Sequence, residues 1–202
     1  MIAIVDYGVG NLFSLKSSFA AIGAEAVVTG DKNVLEQADK ILLPGVGAFA
    51  DAAEKLRNSG LDEVLIQQAK AGKPLLGICL GMQLLFEQSL EYGKHKGLGL
   101  LPGSVVPMEG KIPQDLKIPH IGWNALTFHK NSPLFQHIRE GDCVYFVHSF
   151  YADNCADAVS ATTEYGIPIT AAVEKGNVFG CQFHPEKSGD VGLNILKAFA
   201  EM

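Results

Sequence analysis

A chain of 202 residues with 16 Lys/Arg against 22 Asp/Glu, net −6 and without charge runs, offers no basic surface for nucleic acid or an anionic membrane. Its four cysteines, Cys79, Cys143, Cys155 and Cys181, form no C-x-x-C pair, and no histidine stands at zinc-ligand spacing, so they read as free thiols of a reducing compartment with no metal. No leader-like or membrane-spanning run is present, and the expectation is a soluble cytoplasmic protein, one domain over residues 1–202.

Ile2–Val5 reads as a short buried strand, and Leu12, Leu15, Phe19 and Ile22 then keep one helical face apolar. Between them, Gly8-Val9-Gly10 invites a dinucleotide reading, but Phe13 occupies the place of the third small residue, so a tight turn is expected. Ala24–Val28 is the next strand, Asn33 a candidate helix cap, and Lys40–Leu43 a third strand. Pro44-Gly45-Val46-Gly47 follows. Gly45, Gly47 and Ala50 satisfy G-x-G-x-x-A, which leaves three readings: a cofactor loop, a backbone loop offering N–H donors to an oxyanion, or an ordinary strand-to-helix turn. Ala48–Arg57 and Leu61–Ala71 read as two helices broken at Ser59-Gly60.

Pro74 to Gln83 is the most informative stretch. A buried strand runs into an abrupt turn with Cys79 at its tip, and Leu80, Leu84 and Leu85 continue at helical spacing into Phe86. Gly77 and Gly81 remove Cβ atoms on either side, which makes Gly-x-Cys-x-Gly a thiol form of the nucleophile elbow. Sulfur at a helix N-terminus is favoured as thiolate, the attacking form. The plainer alternative is a small buried cysteine between packing glycines.

Beyond Phe86 glycine and proline punctuate short apolar pieces, and the helical period fades through His120-Ile121-Gly122-Trp123-Asn124. Strands are expected at Cys143–Val147 and Ala158–Thr163, a hairpin joins Ile169–Glu174 to Val178–Phe183 across Lys175-Gly176-Asn177, and Asp190–Met202 forms a closing amphipathic helix. The alternation of strands and helices predicts an α/β fold: a doubly wound, mostly parallel sheet flanked by helices, with an additional antiparallel strand region in the C-terminal half. Its loops after Val5, Leu43 and Ile78 would open on one edge. On an extended segment His184 and Glu186 project to one side across Pro185, so a carboxylate can orient an imidazole that takes a proton from a thiol. A loop histidine beside a surface glutamate is the alternative.

Taken together, Gly77–Gln83, Pro44–Gly47 and Phe183–Glu186 resemble the class I glutamine amidotransferases, in this order and over essentially the whole chain. Within that family Asp6–Asn11, Gly47–Phe49, His120–Asn124 and His184–Ser188 resemble the branch that serves as glutaminase for imidazole glycerol phosphate synthesis in histidine biosynthesis. The resemblance implies that Cys79 attacks the glutamine carboxamide, His184 shuttles the proton, Glu186 orients His184, and water cleaves a thioester to glutamate. Two oxyanion donors are then needed: Leu80 N–H, and one from the Val46-Gly47 stretch if that peptide faces the sulfur. The resemblance also places Gln83 and Glu91 on one end of the substrate and the backbone of Ser149 and Phe150 on the other, with Gly47 against it. Glu91 would otherwise pass as a solvated charge at a helix end.

Ammonia released into water largely protonates, and no part of the chain is left for a synthase. A separate partner is expected, and the resemblance names a barrel-shaped cyclase subunit in a heterodimer. Asn11, Trp123, Tyr145 and Lys187 are its candidate contacts, Trp123 being equally a core residue on sequence alone. No cofactor is implied. The rival readings are the glutaminase of another amidotransferase, for pyridoxal phosphate or anthranilate synthesis, and a non-catalytic α/β module in which Cys79 senses oxidants.

Overall fold

Runs of four apolar residues, too short for helices and bounded by turn residues, become the central strands. In the computed structural model, which describes residues 1–202, the first half runs β1 (Ile2–Val5), α1 (Leu12–Ala21), β2 (Ala26–Thr29), α2 (Lys32–Gln37), β3 (Lys40–Leu43), α3 (Phe49–Ser59), α4 (Leu61–Lys70) and β4 (Leu75–Ile78). The second half runs α5 (Leu80–Leu84), β5 (Phe86–Ser89), β6 (His95–Lys96), β7 (Leu101–Pro107), β8 (His120–Ala125), β9 (Thr127–Phe128), β10 (Cys143–His148), β11 (Phe150–Asp153), β12 (Val159–Glu164), β13 (Pro168–Lys175), β14 (Val178–Cys181) and α6 (Gly189–Glu201). No helix is long and apolar enough to cross a membrane.

The main sheet has eight strands in the order β2-β1-β3-β4-β14-β13-β12-β9. The first five are parallel and the last three pair antiparallel, which is the expected α/β architecture with its antiparallel extension. Both faces of the parallel part are covered, and the side chains divide by parity. Ala3, Val5, Ile41, Leu43 and Leu75 join one core, with residues of α2, α3 and α4, while Ile2, Ile4, Leu42, Leu76 and Ile78 join the other, with α1 and α6. Period-2 alternation thus sorts a continuous apolar run into two cores, each fully buried aliphatic side chain contributing roughly 1.5–3 kcal/mol.

Two small sheets stand beside the main one: β8 with β10, and β11-β7-β5-β6. The hairpin β13–β14 forms where the turn residues placed it, with Lys175 opposite Val178. Two sequence expectations change. The cap of α2 is Asp31, whose carboxylate accepts the Asn33 N–H, so Asn33 is the capped residue rather than the cap. The helix after Cys79 stops at Leu84 instead of continuing into Phe86, because the carbonyls of Leu84, Leu85 and Phe86 accept N–H groups from residues 98–101. Tertiary pairing takes those acceptors from the helix and starts β5.

Candidate active site

β4 and β14 are parallel neighbours with Ile78 level with Cys181, so their carboxyl ends deliver Cys79 and the segment to His184 side by side. Cys79 N–H donates to the Cys181 carbonyl at 2.7 Å. The cysteine itself has φ 54° and ψ −113°, a region that costs a non-glycine residue roughly 1–3 kcal/mol and signals an over-determined turn. The surroundings explain how it is held. A Cβ on Gly81 would lie 1.9 Å from the Leu43 carbonyl oxygen, and one on Gly77 would lie 2.7 Å from Gly81 and Met82 backbone. Gly-x-Cys-x-Gly is therefore required by close backbone packing as well as by the turn.

His184 and Glu186 meet as expected, Nδ1 to Oε1 at 2.8 Å, with side chains 3% and 1% exposed. The route differs, since Pro185–Lys187 is a single 3-10 turn rather than extended chain, and the turn folds the carboxylate back onto the ring. Burial alone would lower the His184 pKa, but the neighbouring Cys79 sulfur and the Glu186 carboxylate outweigh it and raise it to about 9. Glu186 Oε2 is buried without a partner, so the carboxylate is committed to one hydrogen bond. Ser188, which sequence reading passed over, holds the turn: its hydroxyl donates to the His184 carbonyl at 2.7 Å and accepts the Tyr145 N–H at 2.9 Å.

Cys79 and His184 open into a cleft of about 400 Å³ lined also by Val46, Gly47, Leu80, Gln83, Glu91, Ser149, Phe150 and Lys187. Sites at residues 46–47, 79–83, 91, 149–150 and 184–187, scattered through the sequence, thus share one cavity. Such a volume lies within the roughly 300–1,000 Å³ of small-molecule pockets, and the mixed polar and apolar lining suits a small polar ligand.

The geometry matches what the comparisons find. Residues 3–201 match the family described as glutamine amidotransferase class-I. The chain belongs to that family. It is 51% identical to the imidazole glycerol phosphate synthase subunit HisH of Caldanaerobacter subterraneus subsp. tengcongensis, across 100% of this chain and 98% of that protein. Against the subunit of the same name from Wolinella succinogenes it is 48% identical, covering 100% of both. Among solved structures, a glutamine amidotransferase superposes with a TM-score of 0.77 at 20% identity over 100% of both chains, and PurLQS from Thermotoga maritima with 0.75 at 22% over 99% and 97%, which establishes the fold.

Within this amidotransferase fold the glycine-rich loop after β3 is fastened at both ends. The Tyr7 hydroxyl donates to the Pro44 carbonyl at 2.7 Å, a Gly45 Cβ would meet Gly81 nitrogen at 2.6 Å, and beyond the loop Phe49 N–H donates to Glu91 Oε2 at 2.8 Å. Glu91 is accordingly a buried carboxylate at the start of α3, following β5, and not a solvated helix-end charge. Between the fastenings Val46 is 42% exposed and Gly47, at φ 89°, has open space around it. Burial first, and then the nearby Cys79, raise the Tyr7 pKa, so the phenol stays a donor.

Both N–H groups of the Gln83 carboxamide are already in use, one on the Phe150 carbonyl at 3.1 Å and one on Gln182 Oε1 at 3.0 Å, leaving its oxygen. The Phe150 carbonyl also accepts His148 Nδ1–H at 2.9 Å, and the Ser149 carbonyl accepts Met108 N–H at 3.0 Å. Burial pushes His148 down to about 3 and lowers His120, and with His148 Nδ1–H on the Phe150 carbonyl the His148 Nε2 faces His120 Nδ1 at 3.1 Å while His120 Nε2 meets Asn124 Oδ1 at 2.8 Å. Neither histidine was legible as a support in sequence.

Trp123 is 56% exposed, which removes its core reading, and it sits across the β8–β10 ladder from Tyr145 with ring centroids 5.8 Å apart. Lys187 Nζ lies 5.9 Å from the Tyr145 ring, so three candidate contacts form one patch, of which Lys187 lines the cleft. Asn11 has a local task, accepting Ser14 N–H as the cap of α1. No group of three or more His, Cys, Asp or Glu is placed to hold a metal ion.

Proposed function

We propose that this chain is the glutaminase subunit of imidazole glycerol phosphate synthase, acting in the cytoplasm in histidine biosynthesis as a heterodimer with a cyclase subunit. The observation that carries the reading is the near 50% identity over the full length to proteins named as that subunit, in a chain whose cleft holds a cysteine elbow beside an oriented histidine. Cys79 is the nucleophile. With its pKa raised to about 9, His184 beside it holds a proton at neutral pH, which is then ready for the leaving ammonia. Glu186 fixes Nδ1–H, which leaves Nε2 for that transfer.

Attack on the glutamine carboxamide places negative charge on its oxygen, where Leu80 N–H and a peptide N–H of Val46 or Gly47 would stabilise it. The thioester then loses its acyl group to water, activated by the same imidazole, giving glutamate. Glu91 and Gln83 Oε1 suit the substrate ammonium, and the Ser149-Phe150 backbone suits its carboxylate. Ammonia leaves past Trp123, Tyr145 and Lys187 to the cyclase. Glutamine turnover measured with and without added cyclase subunit and its nucleotide substrate tests the assignment: stimulation is expected, and equal turnover in their absence would exclude this partner.

A further inference from the structure

A buried primary amide has one orientation when its neighbours admit only one role. The Phe150 carbonyl can only accept, so Gln83 must present Nε2 to it. The second N–H of that nitrogen goes to Gln182 Oε1 at 3.0 Å, and Gln182, its oxygen so occupied, faces Cys79 Sγ with Nε2 at 3.8 Å. One backbone carbonyl thus sets the direction of every contact up to the sulfur. Gln182 is itself fully buried, one residue beyond β14, and its backbone N–H is anchored on the Ala171 carbonyl at 2.8 Å. An apolar side chain would fill this interior place without the cost of burying an amide.

We propose that Gln182 is a further catalytic residue whose Nε2–H donates to the Cys79 sulfur and stabilises its thiolate, with Gln83 as the positioning residue that locks the amide. The inference rests on reading Cys79 as the nucleophile. No bond to Gln182 forms or breaks; its proton remains on nitrogen while the thiol proton passes to His184. The donor acts on sulfur, whereas the Leu80 and Val46-Gly47 peptides act on the carbonyl oxygen. It favours thiolate before attack and again when the thioester is cleaved and sulfur departs as an anion.

Alkylation by iodoacetamide through the cleft, followed on the Cys79-containing peptide because the exposed Cys143 reacts as well, reads the sulfur without glutamine. Gln182→Leu should slow alkylation at pH 7 about tenfold and recover at pH 10, the effect of one lost charge-assisted hydrogen bond. Gln182→Glu, of the same shape but presenting a carboxylate oxygen, should be slower still. Gln83→Leu, which frees Gln182 to rotate, should fall about threefold on the same basis. A packing role would lower the melting temperature and leave the rate–pH profile in place. A profile superimposable on the parent's in either folded Gln182 variant overturns the proposal. Failure of the parent to turn over glutamine with the cyclase subunit and its nucleotide substrate present would overturn the glutaminase reading instead, a separate measurement.

Discussion

At Cys79 geometry and chemistry make separate demands. The backbone at φ 54° is strained for any side chain, so Cys79→Ala should abolish glutaminase activity at little cost in stability, whereas Cys79→Gly should be equally inactive yet more stable than Cys79→Ala by about 1 kcal/mol. Denaturant melts of the two variants check this, and a less stable glycine variant would mean that the turn is unstrained. His184 gives a second test. Its folded pKa of about 9 lies above the unfolded value near 6.5, so the stability it contributes is complete below about pH 6.5 and drains away as pH rises toward 9. Since the Cys79 sulfur is a principal raising influence, Cys79→Ala should bring the His184 titration down, observable by NMR of the ring protons; an unmoved titration would separate the two groups. Glu186→Gln keeps an acceptor for Nδ1–H but loses the charge, so it should cost less activity than His184→Ala. Of these residues the cysteine, histidine and glutamate were legible from type and spacing, because chemistry restricts what can stand there. Ser188, His148 and Gln182 were not, since their partners are backbone atoms or buried groups distant in sequence, and no local pattern marks that.

Among the elements, the loop after β3 turns from three open readings into a particular device. Its ends are tied by Tyr7 and Glu91 while residues 46–47 are free, so one peptide can rotate without disturbing the sheet or α3. We expect the partner to stimulate turnover chiefly through kcat by setting that peptide N–H inward. Gly47→Pro cannot hold φ 89° and lacks the N–H, so most of the stimulation should disappear, on the order of 10²–10³-fold for one oxyanion donor, while partner binding persists. Kinetics of the variant complex decide it: intact stimulation would place the second donor elsewhere. The regular elements were legible because apolar runs and amphipathic periods carry them. The end of α5 was not, because residues 98–101 compete for its carbonyls and nothing near Leu84 announces them. Asp31 shows the same limit on a smaller scale, as two adjacent polar residues offered a cap and only geometry chose.

For the molecule as a whole, Trp123 on β8, Tyr145 on β10 and Lys187 on the turn that carries Glu186 form a patch beside the proposed triad. The Tyr145 carbonyl accepts His184 N–H at 2.9 Å, but through backbone, so Tyr145→Ala and Trp123→Ala should leave the triad standing and loosen its coupling to the partner. The ratio of glutamate formed to cyclised product should rise above one in both variants; an unchanged ratio would remove these side chains from the interface. The position of β14 has a further consequence, for the order in which the protein is made. Gln182 follows Cys79 by 103 residues, and β14 enters the middle of the sheet, between β4 and β13, only after both neighbours have been synthesised. At about 5–20 residues per second the thiol leaves the ribosome on the order of 5–20 s before its base and its amide donor exist. A nascent chain therefore carries an unarmed cysteine, and chains stopped before Val178 should hydrolyse no glutamine even with the cyclase present.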